Sequence, residues 1–160
     1  MPNENRDSNV SGERYVEDRD VTEMIFKTSG RLNRMRYIKR LLAVSVVEGA
    51  IYMTAFFLFS DDWGRLSGFG SVVTTVLLFA GQLPVYCLNV RRLHDMNKGD
   101  TFATVLLICG FIGLGSSSDV LSLSALEKIS YSVEVLGTIY LFFFPGTYGA
   151  NQYGADPLGA

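Results

Sequence analysis

Few residues in this 160-residue chain can do chemistry, and their positions sort them into two sets. The first set is Arg31 and Arg34, then Arg91, Arg92, His94 and Asp95, then Asn151 and Asp156. The planar fork of arginine holds a carboxylate or a phosphate through two parallel hydrogen bonds. Arg91 or Arg92 can therefore pair with Asp95 or Asp156 and pin distant segments together. The same arginines can instead hold an anionic lipid headgroup, or simply set the orientation of nearby membrane spans by their charge. His94-Asp95 has the composition of a base oriented by a carboxylate. Neighbouring residues in a turn rarely face each other, however, and no serine or cysteine lies in a nucleophile setting. No catalytic residue is assigned, and the reading is not an enzyme. His94 is expected to cap carbonyls at the C-terminal end of its helix, where positive charge is favourable.

The second set, Glu48, Gln82 and Glu134, lies within apolar runs. Ionisable groups inside a membrane are costly and suggest function by default. Glu48 can hydrogen-bond Gln82 or a helix carbonyl and hold a bundle together, or it can line a proton or cation path. Glu134 stands close enough to an outer loop to reach the interface. Metal chemistry has little support: there is one histidine, and the two cysteines, Cys87 and Cys109, both sit in apolar runs. That excludes a multi-histidine site, a cysteine-based zinc site and a disulfide framework. No metal and no cofactor are expected.

Apolar helices must position these groups. Residues 41–60 hold fifteen apolar residues in twenty with Glu48 as their only charge, and 72–90 hold thirteen in nineteen with none. A hydrocarbon core about 30 Å thick needs about 20 helical residues, so both runs fit spans. Pro84 in the second is tolerable where neighbouring helices absorb a kink. Two weaker runs follow, 101–118 and 129–144, joined by a polar stretch around 119–128. They read as two crossing helices, with a re-entrant hairpin as the alternative. The expected fold is an all-α membrane protein with four transmembrane helices.

Charge supplies the orientation. Lys27 to Arg40 contains six basic residues and no acid; the loop after the first span has only Arg65, the next has Arg91, Arg92 and Lys98, and the last only Lys128. This alternation places both termini in the cytoplasm. Tyr37 and Trp63 fit interfacial aromatics at opposite ends of the first span. Residues 1–26 carry seven acids against three arginines and no apolar signal-peptide core. Residues 1–19 read as a disordered tail, 20–157 as the membrane domain and 158–160 as a short tail. Asp20-Val21-Thr22-Glu23 has capping-box spacing and should open a short interfacial helix reaching Gly30. Gly110, Gly113 and Gly115 put small residues on the third helix without a strict Gly-x-x-x-Gly, a weak dimerisation signal.

Three polar stretches flank the spans: Gly30-Arg31-x-x-Arg34-x-x-Tyr37, Val90-Arg91-Arg92-Leu93-His94-Asp95, and Pro145-Gly146-Thr147-x-Gly149-x-Asn151-x-Tyr153-Gly154-x-Asp156-Pro157. In this order, over residues 28–157, they resemble the small bacterial inner-membrane proteins of the domain of unknown function 805 (DUF805) family. Thr28, Ile38 and the stretch from Met96 to Thr101 depart from the family pattern. Asn97 can still adopt a left-handed turn there, and residues 116–130 look like an insertion in the outer loop. The resemblance implies a multi-pass bacterial inner-membrane protein and no established activity. The expected function is a lipid- or partner-binding scaffold with an arginine-rich cytoplasmic rim; the alternative is a small transporter or channel using Glu48. Expected partners are membrane lipids, anionic phospholipid among them, with a homo-oligomer or membrane-protein partner left open and no nucleic acid.

Overall fold

The computed structural model describes residues 16–61, 65–116 and 124–158. Trp63, most of the proposed tail and residues 117–123 of the proposed outer loop lie outside them. The described chain is all-helical, with α1 (Val21–Phe26), α2 (Arg34–Phe59), α3 (Gly68–Asp95), α4 (Thr101–Ser116) and α5 (Ser124–Phe143). α2 and α3 are long and apolar enough to cross a membrane, at about 39 and 42 Å for a rise of 1.5 Å per residue. α4 has 16 described residues and is a shorter apolar helix than α2 and α3. α2 packs on α3, α3 on α4, and α4 on α5, while α1 lies against α3.

Local chemistry sets the ends. Asp20 caps α1 by accepting from the Glu23 amide at 2.8 Å, and the Glu23 carboxylate accepts from the Arg19 amide at 3.1 Å. α1 stops at Phe26, short of the expected Gly30, whose φ of +81° suits only a residue without Cβ. Asn33 caps α2 by accepting from the Arg36 amide, and Ser67 caps α3 by accepting from that of Gly70. Asn97 takes the left-handed conformation (φ 56°) that the sequence allows it. α3 continues through Pro84, which is buried, although proline cannot donate to the carbonyl one turn back.

The helices extend beyond the apolar runs. α2 begins at Arg34, and α3 ends at Asp95, so the basic motifs are terminal helical turns rather than loops. The core gathers at that end: Leu32, Tyr37, Leu88, Leu93, Ala103 and Leu141 are all completely or almost completely buried. Farther along, α2 and α3 expose Leu42, Val46, Phe57, Leu58, Val72 and Val76. A soluble monomer rarely shows so large a continuous apolar surface.

Candidate functional site

At the motif-bearing end, three segments converge on Asp95, the last residue of α3. Arg31, just before α2, approaches one carboxylate oxygen through Nε at 3.2 Å and Nη2 at 3.1 Å. Arg92, one turn before Asp95, donates Nη1 to the other oxygen at 2.6 Å. All three side chains are buried. Each guanidinium then uses its remaining donors on backbone carbonyls that have no helical partner. Arg92 donates Nε to Leu141 at 3.0 Å and Nη2 to Phe144, satisfying the C-terminal turn of α5. Arg31 donates to the carbonyls of Thr147, Gly149 and Gly154.

The 145–158 segment has no helix, and this clasp gives it a shape. Thr147 donates its amide (2.8 Å) and its hydroxyl (3.1 Å) to the Asp95 carbonyl. Asn151 donates to the His94 carbonyl at 2.9 Å and to the Thr147 hydroxyl at 3.0 Å. Asp156 accepts from the Gly149 and Leu158 amides, each at 2.9 Å, and so closes the loop on itself. Gly146 has no freedom to be anything larger: a Cβ there would lie 2.1 Å from an Asp95 carboxylate oxygen.

A second ion-pair centre lies beside the first. Arg91 donates Nη2 to both oxygens of Asp18 at 3.0 Å and Nη1 to the Glu23 carbonyl at 3.3 Å. Arg40 reaches the same carboxylate at 2.7 Å and the Met24 carbonyl at 3.0 Å. Burial alone would raise the Asp18 carboxyl, but hydrogen bonds and charge from Arg40 and Arg91 outweigh it and hold it below 3.8. The α1 segment is thus fastened to α2 and α3 by one aspartate.

These contacts revise several expectations. Arg91 pairs with neither Asp95 nor Asp156 but with Asp18, and Asp156 binds amides rather than an arginine. Asp18 had been assigned to the tail, yet its side chain is 1% exposed, so the packed structure begins before residue 20. His94 does not cap its own helix. Its Nδ1 lies 3.2 Å from the Gly30 carbonyl, a bond in which that nitrogen carries the proton. Its ring stacks on Tyr153 with centroids 3.8 Å apart. His94 and Asp95 accordingly engage different partners.

Of the rim residues singled out from sequence, Arg31, Arg91, Arg92, His94, Asp95, Asn151 and Asp156 are built into the clasp or its surroundings, and Arg34 stays exposed beside them. Arg34 borders a cavity of about 290 Å³ between the start of α2 and the 145–158 segment, with Asn33, Arg92, Asp95, Thr147 and Asp156 in its lining. Met35, Tyr148 and Leu158 also line it and are largely exposed. Reasoning from sequence missed Asp18 and also Asn89, which accepts from the Tyr37 hydroxyl at 2.8 Å; it carried Gly146, Thr147 and Tyr153 only as motif positions, without a role.

The second set, Glu48, Gln82 and Glu134, lies apart from the rim. Glu48 lies against Gly81, with one carboxylate oxygen buried and without a hydrogen-bond partner. Gln82 and Glu134 both turn toward Gly110 of α4, where a Cβ would lie 2.7 and 2.8 Å from their Oε1 atoms.

The model of a protein family described as "Protein of unknown function (DUF805)" matches residues 25–155. The match takes in the arginine–aspartate clasp and leaves Asp18 outside. No curated protein and no solved structure matches the chain.

Proposed function

The chain belongs to the DUF805 family, and from that premise we propose a small inner-membrane binding module, not an enzyme, with four crossings and both termini in the cytoplasm. Two long apolar helices and the alternation of basic loops support this topology. α1, which exposes Val21 and Phe26, lies in the interface. A periplasmic signal from a reporter fused after Ala160, or a cytoplasmic one from a reporter inserted near Gly68, would overturn the threading.

The ligand we propose for the rim is an anionic lipid headgroup. One observation carries this reading: Arg34 is exposed at the edge of a cavity of about 290 Å³, whereas Arg31, Arg91 and Arg92 are engaged internally. A headgroup phosphate can meet the Arg34 fork while its acyl chains lie along Met35 and Leu158. Arg31, Arg91 and Arg92 act as structural ties in this reading, not as ligand residues. Native mass spectrometry of protein taken from phosphatidylglycerol-doped micelles tests it. Arg34→Gln should lose retained phosphatidylglycerol, and retention equal to the parent's refutes the pocket.

A second reading, a proton or cation pathway, is favoured by the unpartnered buried oxygen of Glu48. Flux into liposomes that disappears with Glu48→Gln is its test; absence of flux in the parent removes it.

A further inference from the structure

The clasp ties the helices together at one end, and a different polar feature opens toward the other. On α4, Gly110 leaves a gap where a side chain would stand. A Cβ at that position would be 2.7 Å from Oε1 of Gln82 on α3 and 2.8 Å from Oε1 of Glu134 on α5. An amide oxygen and a carboxyl oxygen from two helices therefore both face the bare backbone of a third. Both side chains line two cavities. One, about 30 Å³, leads toward Asn89 and the clasp. The other, about 470 Å³, leads the opposite way, past Gly110, Gly113 and Tyr131 to Glu127 and Lys128.

The helix geometry gives this larger cavity a floor and a mouth. Glu127, Lys128, Tyr131 and Glu134 recur at three- and four-residue spacing, so they share one face of α5. At 1.5 Å per residue, Glu134 lies about 10 Å deeper than Glu127. The floor thus offers a carboxylate and an amide oxygen, the wall offers an aromatic ring and glycine backbone, and the charged pair stays at the rim of the mouth.

That lining selects a class of ligand. A carboxylate at the closed end of a mostly apolar cavity favours a positive charge, and Lys128, two turns of α5 away, does not supply it. Hard inorganic cations such as calcium take six to eight oxygen ligands, more than this floor presents. The volume instead falls within the range of about 300–1,000 Å³ typical of small-molecule sites. A cation carrying an apolar body satisfies both halves: charge on Glu134 and Gln82, body along Tyr131, whose ring face also attracts cations. We propose that Glu134 and Gln82 form the floor of a binding site for an amphiphilic organic cation, entered from the end of the bundle opposite the clasp.

The probe is tetraphenylphosphonium, bound to the full chain in detergent micelles and measured by isothermal titration calorimetry. Triphenylphosphine oxide serves as the neutral counterpart. The parent should show one saturable site for the cation, and Glu134→Gln should weaken it about tenfold or more. Glu17→Gln, which removes an exposed carboxylate at the clasp end, should leave it unchanged. Should Glu134→Gln fail to fold, Gly113→Phe carries the test. The Cβ position of Gly113 has nothing within 4 Å, so a ring there fills the cavity without displacing a neighbour's backbone. Parent-like binding in either variant overturns the site. So does the absence of saturable cation binding, or neutral-probe affinity equal to that of the cation.

Discussion

Replacing Arg92 by lysine keeps the charge and removes the fork, which makes it a direct test of the clasp. Arg92 is completely buried and sends three donors in three directions, to Asp95, Leu141 and Phe144. A lysine ammonium concentrates its donors at one point on a shorter reach, so it can keep the Asp95 contact but not span to both carbonyls. Hydrogen bonds to charged donors are worth about 1.5–3 kcal/mol each, and two are lost. Because the charge stays paired with Asp95, the loss is that of the two carbonyl bonds alone, about 3–6 kcal/mol. Arg34→Lys is the internal control. Arg34 is exposed, so its replacement should change stability by no more than about 1 kcal/mol. Both variants would be melted in the same detergent and followed by circular dichroism and by protease access to the 145–158 segment. Arg92→Lys should melt well below the parent and release that segment first, with Arg34→Lys superimposing on the parent. If the two variants melt together, Arg92 is only a topology charge and the clasp argument is wrong.

Gly146→Ala should destabilise by about 1–3 kcal/mol, since its Cβ meets the Asp95 carboxylate, while Gly113→Ala, which meets nothing, should be silent in the same melt. Asp18→Asn should cost about 1–3 kcal/mol and raise amide exchange in α1, less than a full buried-pair loss because α1 can undock. The Asp18 contribution also has a pH signature. Its folded pKa is depressed below 3.8, so the stabilisation is complete above 3.8 and is lost as pH falls through the lower folded value. After correction for the intrinsic exchange rate, the protection of α1 amides should therefore fall at acid pH in the parent, and Asp18→Asn should show low protection with no such dependence.

How much of this was legible in the sequence varied with the range of the interaction. The two long apolar runs gave α2 and α3, because burial preference is written residue by residue. The three polar motifs named most of the clasp, because arginine and aspartate next to spans are rarely idle. Their partners were not legible. Arg91 and Arg92 are adjacent, and a helical turn of about 100° per residue sends them to different neighbours, one to Asp18 and the other to Asp95. Asp18 itself stands among many acids in a polar stretch, and nothing in its composition separates it from them. The carbonyl acceptors at Leu141, Phe144 and Thr147 carry no side-chain signature at all. Gln82 illustrates the same limit. Composition offers Glu48 as its mate, but Glu48 lies against Gly81, and the Gln82 amide oxygen lies instead against Gly110 of α4.

The order of synthesis gives the clasp one more consequence. Arg31, Arg92 and Asp95 leave the ribosome before the carbonyls of 141–154 that complete their bonding. Until that stretch emerges, a newly made chain carries two arginines and a single carboxylate in a site built for five further acceptors. The same unfinished site persists in any chain truncated before Leu141. Such a chain keeps two arginines around one carboxylate with none of the carbonyl acceptors they reach in the full chain, and should fold less stably than the full chain for that reason alone.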